Sequence, residues 1–125
     1  MNFVFVFIGG GIGATFRYLT TQVESHIFHD RFLFGTVVVN CIGALLIGFL
    51  INIFDFYSLN IRWKLFLVTG FLGGYTTFSA YALESANYIL GGNIKYAVLN
   101  ILLSNVLCIS FVFLGMWINK LIFVK

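Results

Sequence analysis

The seven basic and four acidic residues of this chain are confined to its punctuation. There is no charge between Arg31 and Asp55, between Lys64 and Glu84, or between Lys95 and Lys120, and Arg17 alone interrupts the stretch before Glu24. Uncharged runs of this kind approach or exceed the ~20 residues that one helical crossing of a bilayer needs. Hydrocarbon offers no partner to a bare amide, so such a run crosses as a helix that satisfies its own backbone. The spans read as about 3–21, 33–54, 63–90 and 95–118, one all-α membrane domain over residues 1–125 with four transmembrane helices per protomer. Composition excludes the soluble alternative: the chain is 61% hydrophobic and 9% charged, with mean hydropathy +1.03. The amino end lacks a basic segment and a small-residue cleavage site, so the first span is expected to be retained.

The third span is the irregular one. It contains Gly70-Phe71-Leu72-Gly73-Gly74-Tyr75-Thr76-Thr77-Phe78-Ser79. Glycine costs about 1 kcal/mol in a helix interior, and paired glycines followed by three hydroxyl residues predict a break at Gly73-Gly74. Freed backbone at that depth is tolerated only where it is buried in protein or lines an aqueous path. After the break, Phe78, Tyr81 and Glu84 follow at i, i+3, i+6, drifting around one helical face.

Other polar positions are few. In the first span, Gly9, Gly11 and Ala14 fit a dinucleotide fingerprint only by spelling, because no strand precedes them. Gly9 and Gly13 read instead as a small face for close helix packing. Arg17 either snorkels to the headgroups or faces an aqueous vestibule. Asn40, central in the second span, needs a helix, a water or a ligand as partner. In the fourth span Tyr96, Asn100 and Ser104 stack at i, i+4, i+8, with Cys108 continuing the row. Asn105 and Ser110 fall off it.

Several function classes lose support at once. The net charge is +3, but no basic run exists to meet phosphates, so no nucleic-acid partner is expected. His26 and His29 lack a third ligand and read as part of a polar loop over residues 22–32. Cys41 and Cys108 read as buried thiols acting as small hydrophobes rather than as a disulfide or metal pair. No Ser-His-Asp pattern, zinc spacing or phosphate loop is present, so the chain is not expected to be an enzyme. Arg62, Lys64, Lys120 and Lys125 against Arg31 and Lys95, plus Arg17 if it reaches that interface, give a weak positive-inside bias that leans towards cytoplasmic termini and is compatible with insertion in both orientations. Three glycine-rich faces on so small a protomer suggest burial in an oligomer.

Gly9-Gly10-Gly11-Ile12-Gly13-Ala14-Thr15-Phe16-Arg17-Tyr18, then Gly35-Thr36 with Val39-Asn40-Cys41-Ile42-Gly43, then the run from Gly70 to Ser79, resemble the successive signatures of Fluc-type (CrcB-like) fluoride channels. The resemblance implies an antiparallel, dual-topology dimer in a bacterial cell membrane, with fluoride pores at the dimer interface and passive export of cytoplasmic fluoride. It implies a structural Na+ at the dimer centre, held by the backbone carbonyls of Gly73 and Thr76. It places Arg17 at the end of the first motif and Asn40 and Phe78 in the pore. Tyr81 stands where the family has a second phenylalanine, and Tyr96, Asn100 and Ser104 occupy its polar track.

The donor chemistry agrees with that implication. Asn40, Thr77, Ser79, Tyr96, Asn100 and Ser104 are neutral hydrogen-bond donors, and phenylalanine presents a partially positive edge. Glu84 reads as a vestibule or structural carboxylate. Two other functions fit the same spans. A proton-coupled transporter of small multidrug type would use Glu84, although the first span lacks the membrane carboxylate usual there. A partner subunit, in a heterodimeric fluoride channel or a larger membrane complex, would need a second chain.

Overall fold

The computed structural model describes residues 1–28, 35–57 and 59–123, and they fold into helices and short connections. Helix α1 is Asn2–Phe28 and α2 is Gly35–Phe56. The third segment opens as α3 (Ile61–Lys64), widens into a π-helix over Leu65–Leu72, closes as α4 (Gly73–Tyr75) and resumes as α5 (Phe78–Leu90). Helix α6 is Ile94–Phe123. By length and composition α1, α2 and α6 can each cross a membrane. His29, Asp30, Arg31, residues 33 and 34 of the expected second span, and Lys125 lie outside the described residues.

Local chemistry sets the ends. Asn60 Oδ1 accepts from the Arg62 amide at 3.0 Å and starts α3. Thr77 Oγ1 accepts from the Ala80 amide at 3.2 Å and starts α5. Gly92, at φ +75°, makes the left-handed turn from α5 into α6 that a side chain would resist.

Two pairs of helices run parallel and in near backbone contact. On α1, a methyl group at Gly9 or Gly13 would strike the carbonyls of Phe66 or Phe71, and one at Gly74 would strike Gly10. Between α2 and α6, one at Gly48 would meet Val112 and one at Gly115 would meet Leu45. Small residues let helix backbones approach where lipid supplies no hydrophobic drive for association. Helix α5 packs antiparallel on α6 and α2, through Asn100 to Ser85 and Asn40 to Thr77. The surface is inverted relative to a soluble protein: Phe3, Phe7 and Trp117 point outward, whereas Thr36, Ser85, Asn100, Ser104 and Asn119 are buried.

Three expectations need correction. Residues 22–28 continue α1 rather than opening a loop, and along its last turns Thr20, Thr21 and Ser25 return their hydroxyls to the carbonyls of Phe16, Tyr18 and Gln22. Helix α6 likewise runs past residue 118, to Phe123. The interruption is not at Gly73-Gly74, which are helical, but at Thr76 and Thr77, whose ψ values of 158° and 122° are extended. Gly74 serves contact with α1 instead of breaking the helix. Gly74→Ala is therefore expected to loosen α1 and speed its amide hydrogen exchange about tenfold or more, at the 1–3 kcal/mol typical of overpacking. Gly73→Ala has only the Val68 carbonyl nearby, at 4.0 Å, and should leave α1 exchange unchanged.

Candidate functional site

The break is made by one side chain. Asn40 Oδ1 accepts the Thr77 amide at 2.8 Å, and its Nδ2 donates to the Thr77 carbonyl at 3.0 Å. In an uninterrupted helix the Thr77 amide would return to the Gly73 carbonyl. Asn40 diverts it, so the carbonyl of Gly73 leaves the ladder on an exposed surface. Thr76 still closes the preceding turn: its amide and its Oγ1 both reach the Leu72 carbonyl at 3.0 Å. Its own carbonyl accepts from Arg17 Nη1 at 3.0 Å. Arg17 thus binds the break across α1 rather than snorkelling freely.

This geometry bears on the two carbonyls expected to hold Na+. Gly73 fits a hard cation, being an oxygen acceptor released from the helix on an exposed face. Thr76 keeps one lone pair beyond the one given to Arg17. Two oxygens alone are too few to complete the shell of a hard cation.

Beside the break lies a cavity of about 410 Å³. Asn40, Thr76, Thr77, Phe78, Tyr81 and Ser104 contribute to its wall, and among the described residues no charged side chain does. Phe78 is 78% exposed and inclines its ring on Tyr81, centroids 5.3 Å apart. The amides of Phe78 and Ser79 open α5, where the first-turn N–H groups lack helical partners and the helix dipole favours an anion. Ser79 is outside the wall, exposed, with its Oγ 3.3 Å from Thr77 Oγ1.

The fourth-helix row divides. Ser104 lines the cavity and donates weakly to Asn100 Oδ1 at 3.5 Å. Asn100 sits behind it, 1% exposed, with Nδ2 donating to Ser85 Oγ at 3.1 Å. Tyr96 is away from the cavity, half exposed, with its ring 6.0 Å from that of Tyr88. Glu84 is also apart, accepting Thr36 Oγ1 at 2.6 Å. Both oxygens of Glu24 are buried without a hydrogen-bond partner among the described residues.

Sequence reading missed Asn105 and Ser85. Asn105 Nδ2 donates to the Tyr81 hydroxyl at 3.2 Å and to the Ile101 carbonyl at 2.7 Å. The Tyr81 oxygen thereby spends a lone pair on Asn105 while its O–H hydrogen stays available to an acceptor in the cavity. Ser85 joins Asn100 to the Tyr81 carbonyl, to which its hydroxyl donates at 2.9 Å. The signal for Ser85 was its i+4 offset from Tyr81; Asn105, one step off the polar row, had none. Tyr81→Phe should change transport of the ion that uses this cavity by about threefold to tenfold, the worth of one hydrogen bond. If Tyr81→Phe and Tyr81→Ile both transport as wild type, the ring does not face the path.

The chain therefore has the make-up of a small polytopic membrane protein with an interrupted helix beside an uncharged, donor-bearing cavity. Its residues 4–116 match the family described as CrcB-like protein, Camphor Resistance (CrcB). A protein of Campylobacter hominis named fluoride-specific ion channel FluC is 42% identical over 115 residues, 91% of each chain. One of Coxiella burnetii with the same name is 42% identical over 122 residues, 96% of this chain and 98% of its own. A Nitrobacter hamburgensis protein named fluoride-specific ion channel FluC 2 is 38% identical over 117 residues, 93% of this chain and 94% of its own. The chain belongs to the CrcB family.

Proposed function

We propose that this chain is a fluoride channel that lets the ion leave the cell passively across the plasma membrane. The observation that carries the reading is the uncharged cavity at the Asn40–Thr77 break. Fluoride is small, and removing its water is costly, so a path must replace that water with donors. A fixed cation there would hold the ion too tightly for release. Asn40, Thr77 and the Tyr81 hydroxyl supply neutral donors, Ser104 joins them if its proton turns from Asn100 to the ion, and the start of α5 adds oriented amides. Phe78, at the cavity edge, can turn its positive rim to an anion. The names of the relatives point to the same ion.

In this reading α3 through α5 together make a further crossing, giving four. Two protomers pair antiparallel across the face that exposes Phe78 and Gly73. The Gly73 and Thr76 carbonyls of both would complete a structural Na+ shell at the centre. Asn100 and Ser85 position Ser104 rather than meet the ion. Glu84 with Thr36, and Tyr96, belong to the approaches. Homodimer and heterodimer both fit, and the number in the name of the Nitrobacter hamburgensis relative, FluC 2, is compatible with paired chains.

Liposomes containing only this chain, loaded with fluoride and read with a fluoride electrode, test the proposal. Passive efflux that needs no proton gradient supports it. Proton-coupled movement of another substrate would replace it with a transporter, and efflux that appears only on adding a second homologous chain would assign a partner-dependent channel.

A further inference from the structure

We propose that Asn105 is a positioning residue that commits the Tyr81 hydroxyl to donate into the cavity, so that the pair gives the wall its preference for an anion. Resting on the channel reading, this names which hydrogens of the wall are free to meet fluoride. A hydroxyl carries one hydrogen and two lone pairs, so by itself it serves a cation as readily as an anion. The neighbours decide, by what they have already taken from it.

Most hydroxyls beside the break have given their hydrogen elsewhere. Thr76 Oγ1 donates to the Leu72 carbonyl at 3.0 Å, and Ser104 Oγ donates weakly to Asn100 Oδ1 at 3.5 Å. Thr77 Oγ1 accepts the Ala80 amide and lies 3.3 Å from Ser79 Oγ, so one of those two hydroxyl hydrogens is taken up between them. Asn40 Nδ2 gives one of its two hydrogens to the Thr77 carbonyl.

Tyr81 is held the other way round. Its oxygen receives Asn105 Nδ2 at 3.2 Å. The same Nδ2 donates to the Ile101 carbonyl at 2.7 Å, an atom that can only accept, so the amide of Asn105 cannot be turned end for end without losing that bond. Both amide hydrogens of Asn105 are thereby given away, and Asn105 keeps an acceptor but no donor for an anion. It acts through Tyr81 rather than on the ion. The Tyr81 oxygen, met by a donor from α6, must direct its own hydrogen elsewhere, and both residues line the cavity. A donor fixed in this way favours an anion that accepts hydrogen bonds strongly, because bonds to a charged acceptor are the strong ones. A cation meets an oxygen whose lone pair Asn105 has already used.

Fluoride efflux from liposomes containing the full-length chain, measured for wild type, Tyr81→Phe, Asn105→Leu and the double variant, tests the coupling. Asn105→Leu frees the hydroxyl to turn and should lower efflux by about threefold to tenfold, the worth of one hydrogen bond. Once residue 81 is phenylalanine, the same change should cost less than about twofold, the scatter expected of uncoupled sites. Asn105 is exposed, and Asn105→Ala repeats the cycle as a guard against a folding defect specific to leucine. A second readout does not use transport. With tyrosine labelled at Cζ for NMR, the resonance missing from Tyr81→Phe belongs to Tyr81. Asn105→Leu should move it in the absence of fluoride. Sodium fluoride, and not sodium chloride, should move it in wild type and move it less in Asn105→Leu. Equal loss of efflux from Asn105→Leu in both backgrounds, no loss in either, or a Tyr81 resonance indifferent to Asn105 and to fluoride would each overturn the proposal. A wild-type chain without efflux would remove the self-sufficient channel instead, and the fluoride response of the Tyr81 resonance would still decide the donor.

Discussion

Asn40→Leu is expected to lower fluoride efflux at least a hundredfold. Leucine keeps the approximate size of the side chain but offers nothing to the Thr77 peptide, whose amide and carbonyl both depend on Asn40. Each half-buried polar group left unpaired costs about 1–3 kcal/mol. The cheapest repair is for the Thr77 amide to return to Gly73 and continue the helix. That repair withdraws the Gly73 carbonyl and rotates Phe78 and Tyr81 away from the cavity. Asn40→Asp separates structure from conduction. Its carboxylate still accepts the Thr77 amide, which keeps that half of the break, but it returns no donor to the Thr77 carbonyl and sets a negative charge in the cavity wall. Efflux should fall by a similar factor while hydrogen exchange at Thr77 stays near wild type. Wild-type efflux from Asn40→Asp would mean that the anion does not pass Asn40.

Much of this site was legible because few polar residues are tolerated in apolar helices, so each one carries information. Asn40, Thr77 and Ser104 were singled out that way, and all three line the cavity. The position of the break was not legible. Gly73-Gly74 is the obvious weak point by helix propensity, yet both are helical, because propensity is small beside a tertiary contact. The contact comes from Asn40, 37 residues earlier in the chain, and no local pattern encodes which peptide it takes. Arg17 illustrates the same limit: its charge left headgroups and a vestibule both open, and the Thr76 carbonyl became available to it only once the helix had parted. Of the expected row Tyr96-Asn100-Ser104, only Ser104 lines the cavity, for a simple reason. Helical spacing puts residues on one face but does not say how far the neighbouring helix extends along it, and at Tyr96 the neighbour is Tyr88 rather than the cavity.

Gly13→Ala and Gly11→Ala, two residues apart in the same glycine run, should have opposite outcomes. At Gly13 the added methyl would overlap the Phe71 carbonyl and sit 2.9 Å from the Tyr75 amide. Both are backbone atoms and cannot rotate aside, so α1 must retreat from the π-helix. Overpacking of this kind costs about 1–3 kcal/mol or more. Because Arg17 lies one turn further along, the retreat also pulls its guanidinium from the Thr76 carbonyl and unseats the break. The variant should inactivate at lower temperature and lose at least tenfold in efflux. At Gly11 nothing among the described residues stands within 4 Å of the new methyl, and alanine is the better helix former by about 1 kcal/mol. Protomer stability there should hold or rise. Thermal inactivation of the two variants in matched detergent compares them directly. Equal loss in both would mean that the run serves α1 as a flexible segment, and that the contact of Gly13 with Phe71 does not fix the site.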